Sequence, residues 1–149
     1  MRSFLIFWSL FALLIDQTSK FLIKKIPDQG IFFVKTEDWT IGWQKHLNTD
    51  LALSLGSNIP IINFGLIIIS LGLLIGLIVK YKTKNKIVIP LLIILGSALS
   101  NLLDRLILGG VLDFAVLSRD NLHFPIFNIS DILIVGSFAY LLIFKRKSL

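Results

Sequence analysis

No charged residue occurs between Asp50 and Lys80. A helix needs roughly 20 apolar residues to cross a ~30 Å hydrocarbon layer, and this run exceeds that. Its core, about 59–79, reads as a transmembrane helix. Three other segments read the same way. The first, about 3–23, has only uncharged residues from Ser3 to Ile15 and then Asp16-Gln17-Thr18-Ser19-Lys20. Another, about 87–105, is uncharged until Asp104-Arg105, and the last, about 125–144, carries Asp131 alone. Only 16% of the chain is charged, against the usual quarter, and its mean hydropathy is +0.84. The expectation is a single all-α membrane domain over 1–149 with four transmembrane helices. Within the second span, Gly72 and Gly76 read as a site of close packing inside the protein's own bundle rather than as a dimerisation face.

Charge placement sets the sidedness. Arg2, Lys80, Lys82, Lys84, Lys86, Lys145, Arg146 and Lys147 are eight of the fifteen bases, and no acid lies among them. Segments 24–58 and 104–123 hold most of the remaining charge in nearly balanced signs. By the positive-inside rule, both termini and the 80–86 loop are cytoplasmic. The net charge of +6 is then a topological signal, and nucleic acid is not an expected partner. No small-x-small cleavage site follows the first span, so it reads as retained.

The outer segment 24–58 carries Ile31-Phe32-Phe33-Val34 and Trp39-Thr40-Ile41-Gly42-Trp43, separated by Thr36-Glu37-Asp38. This predicts a short extracytoplasmic β-hairpin cradle between spans 1 and 2, with its tryptophans at the headgroup level. Residues 50–55 read as a short interfacial helix or a strand.

Ionisable residues within a bilayer are costly and mark function. Asp16, Asn101 and Asp131 each lie thirteen or fourteen residues from the cytoplasmic end of their span, a depth of ~20 Å at 1.5 Å per residue. Three helices therefore place polar groups in one layer near the outer face. Asp16 and Lys20 share a helix face at i,i+4, as do Asn101 and Arg105, while Asn101 with Asp104 and Asn128 with Asp131 are i,i+3 pairs.

The absence of cysteine rules out disulfides, thiolate catalysis and cysteine-ligated metals. His46 and His123 stand alone in outer segments without a zinc-binding pattern and read as ordinary loop residues. There is no Gly-x-Ser-x-Gly elbow and no glycine-rich phosphate loop. Carboxylate acid–base chemistry remains. Asp16 has Lys20 one turn away, which suits a structural role. Asp104 has only its sequence neighbour Arg105. Asp113 and Asp131 have no base within helical reach, so they are the pair best able to share a proton.

At these residues the sequence resembles the signal peptidase II family, four-span intramembrane aspartyl peptidases. Asp16-Gln17-Thr18-Ser19-Lys20 is similar to its Asp-Gln-x-x-Lys motif. The stretch from Gly96 to Arg105 resembles its Gly-x-x-x-x-Asn-x-x-Asp-Arg block. Gly110-Val111-Leu112-Asp113-Phe114 and Phe124-Pro125-Ile126-Phe127-Asn128-Ile129-Ser130-Asp131 resemble the segments that carry its two catalytic aspartates. The resemblance implies a catalytic dyad of Asp113 and Asp131. It implies that Asn101 and Asn128 orient the aspartates and the substrate, and that Arg105 and the Asp16–Lys20 pair brace the helices. Asn48 and Asp104 join this supporting set. The implied substrates are diacylglyceryl-modified prolipoproteins, cut before the lipidated cysteine, in a bacterial cytoplasmic (inner) membrane. The active site would lie near the extracytoplasmic face of a monomer in contact with membrane lipid, and no metal or organic cofactor is implied.

The chain departs from the family pattern in its outer loop, where Asp50 and Leu53 replace a glycine and a phenylalanine. Ser130 stands where alanine is usual, and Ser100 where glycine is common. A diverged paralogue with altered substrates is one alternative. The other is a non-enzymatic four-span carrier or assembly protein. A carrier needs polar groups through the cytoplasmic half, and the inner halves of all four spans carry no charge.

Overall fold

The computed structural model describes residues 2–49, 60–120 and 122–146. Among the described residues there are four helices: α1 (Arg2–Ile23), α2 (Pro60–Lys80), α3 (Asn85–Leu108) and α4 (Ile129–Arg146). Between them lie β1 (Ile31–Lys35), β2 (Trp39–Asn48), β3 (Val111–Arg119) and β4 (Leu122–His123), which form one antiparallel sheet in the order β1-β2-β3-β4. The all-α expectation is therefore corrected. The cradle draws on both outer segments, and Asp113 stands on a strand. The reason is tertiary. The run from Val111 to Ala115 is buried on both faces, so it shows no polar alternation that would mark it as a strand. The fold is four helices with a small sheet.

Among the described residues, two helices, α1 over Ile6–Ile23 and α3 over Asn85–Leu108, are long and apolar enough to cross a membrane, and Gly65–Lys80 and Ile129–Phe144 are shorter apolar helices. The polarity of the molecule is inverted relative to a water-soluble domain. Asp16 and Lys20 are fully buried, whereas Leu73 and Leu142 are 68% and 72% exposed. A lipid surround makes that arrangement favourable, because apolar side chains lose nothing by facing hydrocarbon.

Helix α1 lies tightly on α3. Ser9 Oγ donates to the Leu92 carbonyl at 3.0 Å, and a Cβ on Gly96 would collide with the Ser9 backbone. Only glycine permits that approach. Helix α2 packs on α3 through Leu74 and Ile78, with Tyr81 just past its end, against Val88, Leu91 and Leu92. Gly72 and Gly76 face open space, which corrects the expectation that they pack inside the bundle.

Helix α3 ends at Gly109, whose φ of 76° is left-handed and whose N–H donates to the Arg105 carbonyl at 3.2 Å. The chain reverses there into β3, which brings Asp113 back beside the end of α3. The last helix begins later than expected, at Ile129, because Phe127 is tied to the sheet. Phe127 exchanges backbone hydrogen bonds with Ala115, at 2.7 and 3.2 Å. Ile23, Phe114 and Ala115, with Ile26, Trp43, Phe127 and Ile129, seat the sheet on the ends of α1 and α4. Trp43 packs edge-on against Phe33 and Phe114, so it belongs to this cluster. Trp39 stacks under Arg119. The segment 50–55 lies outside the described residues.

Candidate active site

Three helices and the sheet deliver the polar residues to one place. Lys20 of α1 is 1% exposed and forms ion pairs with Asp16 at 2.6 Å and with Asp104 of α3 at 2.8 Å. One buried cation thus serves two buried carboxylates, and further donors complete the shell. Asp16 accepts the Ser100 hydroxyl at 2.6 Å and the Ser130 backbone N–H at 2.9 Å. Asp104 accepts Gln17 Nε2 at 2.9 Å and the Leu112 backbone N–H at 3.1 Å. Asp104 therefore pairs across helices with Lys20. The group ties α1, α3, β3 and α4 together, with the donors that a buried charge requires.

Lys20 also donates to Asn101 Oδ1 at 2.9 Å, and the same oxygen accepts Asn128 Nδ2 at 3.3 Å. Asn128 is the hinge between this structural group and the remaining carboxylates. Its Nδ2 donates to Asp113 Oδ1 at 2.6 Å, and its backbone N–H donates to Asp131 Oδ2 at 3.0 Å. Asp113 Oδ2 accepts Asn48 Nδ2 of β2 at 2.9 Å. Both oxygens of Asp113 are thereby oriented. The Asp113 and Asp131 carboxylates lie close enough to interact electrostatically, and Arg105 lies within the field of both. Arg105 Nη1 donates to the Asn101 carbonyl at 3.3 Å.

Asp113 is 3% exposed. That burial pushes its carboxyl above the ordinary carboxylate range, against the hydrogen bonds of Asn48 and Asn128 and the charges of Lys20 and His46, which pull it down. Two neighbouring carboxyls, one with a raised proton affinity, can hold one proton between them and exchange it with a bound water.

The matching family model is that of signal peptidase (SPase) II, and it covers residues 8–146. The chain belongs to the signal peptidase II family. It is 34% identical over 150 residues to a lipoprotein signal peptidase of Pseudomonas fluorescens, covering 93% of this chain and 86% of that one. It is 33% identical over 129 residues to one of Thermodesulfovibrio yellowstonii, with 80% and 78% covered. Two structures of bacterial membrane enzymes solved by the in meso method, at 2.3 and 1.9 Å, share the fold with TM-scores of 0.71 and 0.70. Their identities are 23% and 26%; the matches cover 97% and 95% of this chain and 88% and 91% of theirs.

This membrane peptidase brings together every residue singled out from its sequence: Asp16, Lys20, Asn48, Asn101, Asp104, Arg105, Asp113, Asn128 and Asp131. Sequence reasoning missed the contributions of Gln17, of the Ser100 hydroxyl, and of the Leu112 and Ser130 N–H groups. Ser100 carried a readable signal, since it sits one helical turn before Asp104 on the face that meets α1. The backbone donors carried none. Both histidines are on strands, His46 on β2 and His123 on β4, so the loop assignment is corrected. Ser130 Oγ is buried and has no hydrogen-bond partner among the described residues.

Proposed function

We propose that the peptidase is an aspartyl endopeptidase that removes signal peptides from diacylglyceryl-modified prolipoproteins, cutting before the lipidated cysteine. It works within the bacterial cytoplasmic membrane through the dyad Asp113–Asp131. Four spans with both termini inside place the dyad near the extracytoplasmic face. The basic ends at Arg2, 80–86 and 145–147 support that orientation by the positive-inside rule.

The observation that carries the reading is the bridge formed by Asn128, which orients Asp113 through its side chain and Asp131 through its backbone. The ionised member of the pair takes a proton from a water held between the carboxyls. The oxygen of that water attacks the scissile carbonyl carbon while the protonated member donates to the carbonyl oxygen. As the tetrahedral intermediate collapses, its C–N bond breaks and a carboxyl protonates the leaving amine. The sheet holds the peptide from the outer side, and the substrate's acyl chains lie in lipid between helices.

The test is incubation of the purified protein with a lipidated prolipoprotein, read by mass spectrometry. The expected result is a product beginning at the lipidated cysteine, with no cleavage of the unlipidated precursor. An intact lipidated precursor, with a folded protein by thermal melt, overturns the reading.

A further inference from the structure

His46 stands directly opposite Asp113 in the β2–β3 register. Side chains of directly opposed residues in an antiparallel pair project from the same face, with Cβ atoms about 5 Å apart. The register is regular from His46 to Asn48, since the irregularity lies between Trp43 and His46. His46 and Asn48 therefore share one face of β2. Asn48 Nδ2 reaches Asp113 Oδ2 at 2.9 Å, so this is the face that looks onto the carboxyl.

We infer that His46 is a positioning residue that sets the acidic limit of the peptidase by placing a proton-dependent positive charge beside Asp113. The inference rests on the Asp113–Asp131 reading.

Other charged groups face Asp113 as well. Lys20 acts on it from α1, Arg105 from α3 and Asp131 from α4, and behind them Asp16 acts on Asp131 and Asp104 on Arg105. Lys20 is already engaged by Asp16 and Asp104, and it and Arg105 are side chains that ordinarily keep their charge across the working pH range. Among the described residues, His46 is the group facing Asp113 whose kind of side chain ordinarily changes charge between pH 5 and 8. Its charge is one of those that pull the Asp113 carboxyl back toward the ionised form.

The sign follows directly. A cationic imidazole favours the ionised carboxylate, so the dyad keeps its ionised member to a lower pH. A neutral imidazole exerts no such pull, and the proton shared by the pair is held more firmly. A single residue thus extends the active range at its acidic end without shortening it at the basic end. The side chain is exposed, so solvent screens the effect to a fraction of what a buried pair would give.

The test is the pH profile of turnover for the wild type, His46→Gln, His46→Lys and a control, Lys45→Gln. Lys45 is held by an ion pair with Asp28. In His46→Gln the acidic limb is expected to move up by about half a pH unit or more. In His46→Lys the acidic limb stays near that of the wild type, while the basic limb moves down, because the charge no longer switches off. Lys45→Gln leaves both limbs in place. Limbs unmoved in both His46 variants, with Asp113→Asn inactive, overturn this inference alone. Full turnover by Asp113→Asn overturns the dyad on which it rests.

Discussion

Asn128 and Asp131 hold one another across the first turn of α4. The Asn128 N–H donates to Asp131 Oδ2 and the Asp131 N–H donates to Asn128 Oδ1, each at 3.0 Å. This is a reciprocal capping box, with a helix cap and a carboxylate supplying each other's partners. The same Asn128 side chain donates to Asp113. One residue therefore starts the helix and holds the carboxylates of both Asp113 and Asp131. Asn128→Ala is expected to cost about 1 kcal/mol of stability through the lost cap, together with most of the turnover. Asn128→Ser restores a capping oxygen without the amide, so the melting temperature should recover while turnover stays low. Recovery of both would remove the orienting role of the amide.

In the proposed mechanism Asp113 and Asp131 act as a unit, which makes their substitutions non-additive. Asp113→Asn and Asp131→Asn should each abolish most turnover, and the double variant should be little worse than either. Lipidated substrate should still bind, since its acyl chains bury apolar area regardless of the carboxyls. Substantial cleavage by either single variant, in a preparation free of host peptidase, would exclude the pair.

Lys20 is the cation for two buried carboxylates, so removing it leaves both uncompensated. Lys20→Met is expected to destabilise the protein by about 3–5 kcal/mol. Converting Asp16 and Asp104 to asparagine in the same chain should recover much of the loss, because the buried charges disappear with their partner. A triple variant no more stable than Lys20→Met would show that the ion pairs do not account for the loss.

Two glycine substitutions should separate a packed face from an open one. Gly96→Ala forces a methyl group into the Ser9 backbone and should cost about 1–3 kcal/mol as α1 and α3 move apart. Gly72→Ala meets open space and should be neutral or slightly stabilising, since alanine is the better helix former. Thermal melts in detergent compare the two.

Stability should also report the environment of Asp113. Its folded-state proton affinity is raised by burial above the ordinary carboxyl value of 3.8. A group of this kind contributes stability that is fully present below its unfolded-state pKa and lost as pH rises through the folded one. Relative to the wild type, the melting temperature of Asp113→Asn should therefore climb from about pH 4 to pH 7. A constant or falling difference would mean that burial does not dominate at this carboxyl.

Features of short sequence range were legible without the fold. The apolar runs located the helices to within a few residues, because helix length and hydrophobicity are local properties. The i,i+4 spacing of Asp16 and Lys20 and the i,i+3 spacing of Asn128 and Asp131 were readable because helix geometry brings such residues together in any context. The strand nature of β3, the pairing of His46 with Asp113, and the Ser100–Asp16 hydrogen bond were not. Each joins residues more than sixty positions apart, and the register of a strand or the seam between two helices is decided by how whole elements dock. The sequence determined which residues would be polar at that depth. The tertiary structure decided how they divide: Lys20 neutralises Asp16 and Asp104, and Asn128 turns Asp113 and Asp131 toward a common site. That division depends on the close approach of α1 to α3 at Gly96 and on the Phe127–Ala115 bridge.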